Sequence, residues 1–393
     1  VCLACVSIVP AAIDPGAAND PASPAFRRPS VSIGNAGLIN TPQQSGASKL
    51  AQQILKATGV EGGLIVHLGC GDGTLTIALH AGESYLVHGL DADPRNVARA
   101  RASIRACGLY GPVSVEQFDG RHLPYADDIV NLVVADELGQ VPTDEVLRVL
   151  APRGVAYVKR GASWEKTVKA WPAQIDQWTH WLHDAGNNAV AGDTRVGPPR
   201  RMQWVAAPLW SRGHELASSV GAVVTAGGRI FYALDEGQPG IYALPSKWSL
   251  VARDAFNGVS LWKRAIPGWG PPLSSGGFTH GFHPRRLATD GDRVYLSLGL
   301  EATLAVLDAA SGRTLKTLDA ARGTAEILCA DRLLVAVAGI RDDAAKRKGM
   351  PPGPGPSLLA FSTDSLQLLW KMPVAGLVAQ TAALAAGRVF YKA

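Results

Sequence analysis

At 393 residues, with 47% hydrophobic and 18% charged residues, the chain is too long for one typical domain and holds ample material for two or three packed cores. Its formal charge of +5 is mild. Basic pairs such as Arg27-Arg28, Arg200-Arg201 and Arg285-Arg286 are scattered rather than massed on one face, which excludes a nucleic-acid binder.

The leading run VCLACVSIVPAAI is about 13 apolar residues, short of the roughly 20 that a membrane-crossing helix needs. It fits the apolar core of a secretory signal over residues 1–13, cut at its start, with a buried strand as the alternative. No transmembrane span is expected, and an exported protein is; without a signal, the chain is cytoplasmic. Residues 14–44 are rich in Pro, Ala, Gly and Asn and read as a disordered linker. The five cysteines, Cys2, Cys5, Cys70, Cys107 and Cys329, show neither metal-ligand spacing nor a disulfide framework.

From Ser45 the texture changes. SGASKLAQQILKATGV has helical spacing, and LIVHLG (64–69) is a strand followed by helix TLTIALHAG. YLVHGL (85–90) leads to helix PRNVARARASIRACG, with Pro94 in its first turn. VSVEQFD (113–119), IVNLVVAD (129–136), helix TDEVLRVLAP and GVAYVK (154–159) complete the series. Apolar strands alternating with helices predict a parallel sheet covered on both faces over 45–160. Residues 161–210 hold six tryptophans, among them Trp164, Trp171, Trp178, Trp181, Trp204 and Trp210. They read as an aromatic helix over 171–183 followed by an extended connector, the helix packing its tryptophan stripe on the sheet domain.

After about 215 short β-rich runs are separated by Gly, Pro and Asp. ARDAFNGVSLW (252–262), VLDAASGRTLK (306–316) and AFSTDSLQLLW (360–370) repeat at intervals of 54 residues. Each lies downstream of an Arg-led strand, and a fourth such strand, AGRVFY, starts at 386. This periodicity predicts a β-propeller over 211–393, incomplete at about three blades and part of a chain cut at both ends.

The turn VHLGCGDG places Gly69, Gly71 and Gly73 after a strand and before a helix, where backbone can approach a ligand closely. Thr74 stands where a dinucleotide fingerprint would carry its third glycine, and no Gly-Lys-Ser/Thr follows, which excludes a P-loop. The turn resembles motif I of the class I S-adenosylmethionine-dependent methyltransferases, and the likeness covers about 45–160. The resemblance implies a Rossmann-like sheet binding S-adenosylmethionine through Gly69, Cys70, Gly71, Asp72 and Gly73. By position it gives Asp91, with Ala92, the ribose hydroxyls, and Asp119-Gly120 the adenine amino group. Asp136, at the end of the fourth strand, is also placed among the cofactor-binding residues by the resemblance; it and Glu137 are catalytic candidates by position only, so the catalytic residue stays unassigned. Methyl transfer needs chiefly in-line approach of an acceptor, here unknown. Past Lys159 the chain goes straight into the connector, so the acceptor-covering strands of the family look short or absent.

ARDAFNGVSLW is similar to the docking motif of pyrroloquinoline-quinone-type propellers, with Asn257 in place of Thr. In that family the motif is structural, with the tryptophan packed between blades, so it implies the fold and not the cofactor; pyrroloquinoline quinone is not expected. The pairs His180-x-x-His183 and His280-x-x-His283 lack a third ligand at a telling distance and read as packing rather than metal sites. Three functions compete. One is a methyltransferase fused to a propeller that holds an acceptor or partner. The second is an exported propeller scaffold with a non-catalytic sheet domain, and the third a quinone-dependent dehydrogenase.

Overall fold

The computed structural model describes residues 42–195, 197, 202–206, 219–239, 244–270, 284–299, 302–339 and 355–393. The expected signal segment 1–13, nearly all of the expected linker 14–44, Trp210 and the pair His280 and His283 lie outside the described residues.

Strands β1 (Gly63–Leu68), β2 (Tyr85–Asp91), β3 (Val113–Gln117), β4 (Val130–Ala135), β5 (Leu150–Arg160) and β6 (Ser163–Val168) form one sheet in the order β3-β2-β1-β4-β5-β6. The first five are parallel, and β6 runs antiparallel to β5. Helices α1 (Pro42–Thr58), α2 (Thr74–Leu79), α3 (Pro94–Ala106) and α4 (Thr143–Val149) cover it. Alternate strand residues serve the two faces: Ile65, Val87, Leu132 and Val134 pack with Ala51, Ile54, Val97 and Ile104, while Val66, Leu68, Val133 and Ala135 pack with Val146 and Val149. Asp93 caps α3 by accepting a hydrogen bond from Arg95 N at 2.8 Å, and Pro94 opens the helix.

Strand β6 corrects two expectations. The sheet runs to Val168 rather than ending near 160, and an antiparallel strand follows the fifth parallel one. Its side chains are almost all solvent-facing, so its sequence carries no apolar signal; Trp164 stacked on Tyr157 at 4.9 Å fixes the pairing.

The β-rich half forms four-stranded antiparallel sheets of up-and-down strands. The first holds β7 (Val220–Ala226), β8 (Arg229–Asp235), β9 (Trp248–Asp254) and β10 (Ser260–Ala265). The second holds β11 (Leu287–Thr289), β12 (Arg293–Ser297), β13 (Leu304–Asp308) and β14 (Thr314–Leu318), and the third β15 (Thr324–Ala330), β16 (Leu333–Ala338), β17 (Ser357–Ser362) and β18 (Leu368–Pro373). A two-stranded sheet of β19 (Ala383–Ala385) and β20 (Arg388–Phe390) follows. Each copy of the 54-residue motif spans the turn between the third and fourth strands of one sheet, and the first strands β7, β11, β15 and β19 contact one another in that order.

The aromatic helix over 171–183 is absent, and its tryptophans do not form a stripe on the sheet domain. Residues 176–187 instead cross the first strands of the small sheets as irregular chain with a tight turn in which His180 pairs with His183. Thr225 N donates to Trp178 O (2.7 Å), Thr289 N to Thr179 O (3.1 Å), Cys329 N to His180 Nε2 (2.9 Å) and Leu384 N to Ala185 O (2.8 Å). The carbonyls of Trp178, Thr179 and Ala185 are thus consumed by neighbouring strands and are lost to an i→i−4 ladder. Trp171 packs edge-on against Phe256, and the guanidinium of Arg153 lies over its ring. His183 Nε2 lies 2.8 Å from Asp176, so both histidines serve structure.

The β-rich half docks on the N-terminal edge of the large sheet. Asn131 on β4 accepts from Leu64 N (2.8 Å) and from Asn257 Nδ2 (2.7 Å), and donates to the buried carboxylate of Asp254 (2.7 Å). Asn257 Nδ2 also donates to Ile129 O (2.8 Å). The residue that departs from the repeat motif is therefore the one that binds the neighbouring sheet. Gly63 is required beside it, since a Cβ there would fall 2.1 Å from Asn131 Oδ1. Asn131→Ala leaves Leu64 N, Asn257 Nδ2 and Asp254 short of partners. We expect it to cost roughly 3 kcal/mol, read as a shift of the denaturation midpoint; an unshifted midpoint would remove the network from the account of the interface.

Candidate functional site

In an open parallel sheet the strand order reverses between β1 and β4, and the crevice at the carboxyl ends of those strands takes ligands. Here a cleft of about 490 Å³ lies at that point, lined by Gly46, Ala47 and Leu50 of α1, His67, Gly69, Cys70, Gly71, Asp72, Thr74, Leu75 and Asp136. It sits at the opposite end of β1 from Gly63 and Asn131, roughly 20 Å away for six strand residues.

The glycine turn is held in place by backbone and by one carboxylate. Gly69 N and Cys70 N both donate to Leu90 O, at 2.8 and 3.2 Å. Gly69, Gly71 and Gly73 have φ of 70°, 56° and 82°, the left-handed region that side chains resist. Gly73 has a second constraint, because a Cβ would meet Ala100 of α3 at 3.0 Å. Asp91 is buried and accepts from Gly71 N (2.9 Å), Asp93 N (2.9 Å) and Asn96 Nδ2 (3.1 Å to each oxygen). It therefore supports the glycine turn from behind.

Asp72 accepts from Thr74 N at 2.9 Å, and that bond leads the causes holding its carboxyl below the usual range. Asp119 is exposed and already engaged, accepting from Arg121 N, His122 N and the His122 ring at 2.8, 2.7 and 2.6 Å. Those bonds, led by the His122 backbone, hold it far below the ordinary carboxylate range. Gly120, past the end of β3, lies beside Ala92, past the end of β2. Asp136 reaches the cleft wall; Glu137 is exposed beside it and is not among the lining residues. Burial pushes the Cys70 thiol up to about 12, which makes it a wall and not a nucleophile.

Gly46, Ala47, Leu50, Leu75 and His67 line the cleft without having been expected there, and of these His67 carries a titratable side chain. It sits in the otherwise apolar strand GLIVHL, 6% exposed, with Nδ1 2.8 Å from Thr76 Oγ1. Burial, opposed by the nearby charges of Asp136 and Asp91, lowers its pKa to about 4. A polar residue in a fully buried strand two positions before the glycine turn was the available signal.

His180 is lowered to about 4 as well, again mainly by burial. Both imidazoles are neutral in the fold, while in the unfolded chain they take up protons as pH falls through about 6.5. Their contribution is therefore complete above about pH 6.5 and is lost as pH falls toward about 4. Each histidine accounts for roughly 3 kcal/mol over that window. Denaturation midpoints followed downward from neutral pH should fall, and His180→Gln should flatten the slope.

Among the residues lining the cleft, carboxylates are present and no Lys or Arg is. The arrangement suits a ligand that carries positive charge near a glycine cradle.

Comparison with known families matches residues 65–154 to the family described as "Methyltransferase domain". The chain is 31% identical over 170 residues to the demethylmenaquinone methyltransferase of Lactobacillus johnsonii, covering 37% of this chain and 69% of that protein. It is 28% identical over 99 residues to an uncharacterized protein of Haemophilus influenzae, covering 23% of this chain and spanning 39% of that protein's length. Among solved structures, an S-adenosylmethionine-dependent methyltransferase from Aquifex aeolicus aligns at 20% identity and a TM-score of 0.25, over 30% of this chain and 77% of that one.

Proposed function

Because the chain belongs, through its mixed sheet, to the class I S-adenosylmethionine-dependent methyltransferases, we propose that it transfers a methyl group to an acceptor entering the cleft from the carboxyl ends of β1 and β4. The observation that carries the reading is the partial ring of carboxylates that Asp72 and Asp136 form about the glycine cradle, with no basic lining residue and with Asp91 buried behind the turn on Gly71 N. S-adenosylmethionine supplies an electrophilic methyl on a sulfonium cation, and such a ring of carboxylates favours the cation over its neutral thioether product. Gly69–Gly73 would approach the ligand with backbone, and Asp91 and Ala92 would face the ribose, with Asp119-Gly120 beside the adenine. Asp136 lines the cleft and Glu137 lies outside its lining, so the group that would receive an acceptor proton stays unassigned. The Lactobacillus relative's name makes a demethylmenaquinone-type ring the first acceptor to assay.

The β-rich half supports the reading of a propeller of the pyrroloquinoline-quinone-like type, in which successive sheets share first-strand contacts. Its contacts through Asp254 and Asn257 lie away from the cleft, which supports a role as scaffold or partner-binding module. A second reading, an exported propeller carrying a binding-only sheet domain, draws on the engaged carboxylate of Asp119.

Calorimetric titration with S-adenosylmethionine, followed by assay for S-adenosylhomocysteine with added acceptor, separates the readings. Binding with turnover supports transfer, and binding without turnover on any acceptor favours the second. Heat on titration with NAD and none with S-adenosylmethionine would overturn both.

A further inference from the structure

This inference rests on the cleft holding S-adenosylmethionine and concerns how it recognises the ligand's amino-acid end. Thr76 is fully buried on α2, and its hydroxyl has one partner among the described residues, His67 Nδ1 at 2.8 Å. The Thr76 hydroxyl can donate to Nδ1 or accept from it; with Thr76 as the donor, its proton is satisfied and the ring carries its hydrogen on Nε2. No protein acceptor for Nε2 occurs among the described residues, and His67 lines the cleft. Asp136 lines the same cleft and lies close enough to act on the imidazole charge.

We propose that His67 is a specificity-determining residue whose Nε2–H receives the α-carboxylate of S-adenosylmethionine while Asp136 receives its α-ammonium. The two protein groups form a donor–acceptor pair, and an α-amino acid zwitterion presents its acceptor and donor on one carbon. The pairing also answers a difficulty in a cleft lined by carboxylates: the ligand's own carboxylate needs a donor there. With no Lys or Arg among the lining residues, an imidazole with its hydrogen fixed outward fills that role. His67 acts on binding and takes no part in the transferred methyl.

The test compares S-adenosylmethionine with its decarboxylated analogue by calorimetry, on the whole chain. Wild type is expected to prefer S-adenosylmethionine by roughly 10- to 100-fold, the scale of one hydrogen bond to a charged group. His67→Val should reduce that preference to within about 3-fold by weakening S-adenosylmethionine alone. Thr76→Val, which frees the ring to change tautomer, should reduce it several-fold and serves as the independent readout where His67→Val does not fold. A preference unchanged in either folded variant overturns the assignment. Wild-type chain binding neither compound overturns the methyltransferase reading beneath it, whereas binding both equally overturns only the role of His67.

Discussion

Asp91→Ala is expected to destabilise the chain by roughly 3–5 kcal/mol and to weaken S-adenosylmethionine binding in whatever folded protein remains by about 1.5–3 kcal/mol. Both numbers come from one carboxylate with two duties. In the free protein it is buried and satisfies Gly71 N, Asp93 N and Asn96 Nδ2. Alanine leaves all three donors without that acceptor, each orphaned group costing on the order of 1–3 kcal/mol. Gly71 then loses the bond that holds it at φ 56°, and the cradle loosens with it. Asp91→Asn separates the duties, since an amide keeps the volume and one acceptor while surrendering the charge. Because one of Gly71 N and Asp93 N then faces the amide NH2, we expect it to recover part of the stability and little of the affinity. Denaturation and calorimetry on the two variants check this, and equal affinity in Asp91→Asn and wild type would remove the ribose role.

The parts of the fold that could be read from sequence are those where one local rule dominates. The alternation of apolar strands and helices over 64–159 follows from burial on both faces, and Asp93-Pro94 marks a helix start by chemistry alone. The 54-residue spacing located each turn between third and fourth strands. What escaped depends on long-range partners. Strand β6 is polar because it sits at a sheet edge, and only its pairing with β5 defines it. The connector has helical tryptophan spacing, yet its hydrogen bonds reach residues 47 to about 200 positions away, which no local pattern announces. Asn257 reads from sequence only as a replacement for the motif's Thr, and it binds Asn131, 126 residues distant. Within the site, the glycine turn and Asp91 were legible because their spacing is local to one strand–turn–helix unit. His67 was not singled out, since its meaning comes from Thr76 on the next helix and Asp136 on another strand.

Gly312→Leu is expected to cost roughly 3–5 kcal/mol in the wild-type chain and only about 1–2 kcal/mol when Trp262 is first changed to lysine. The ring of Trp262 lies across the turn after β13, donating from Nε1 to Ala309 O at 3.0 Å. A Cβ at Gly312 would fall 2.6 Å from that ring, and the residue sits at φ 69°. The preceding sheet repeats the arrangement. Trp204 donates to Ala255 O at 3.2 Å, and a Cβ on Gly258 would fall 2.5 Å from its ring. At the third turn both partners change together: Lys316 donates from Nζ to Leu366 O at 2.8 Å, and Leu366 occupies the left-handed position at φ 53°. A tryptophan thus demands glycine beneath it, whereas a flexible lysine leaves room for a side chain at the cost of backbone strain alone. The chain itself contains both solutions, so Trp262→Lys with Gly312→Leu transplants the third interface onto the second. Denaturation of the two single variants and the double variant should show the double more stable than the sum of the singles by roughly 2 kcal/mol. Simple additivity would mean that ring and turn do not act as a unit, and that the loss of glycine at the third turn is independent of the loss of tryptophan.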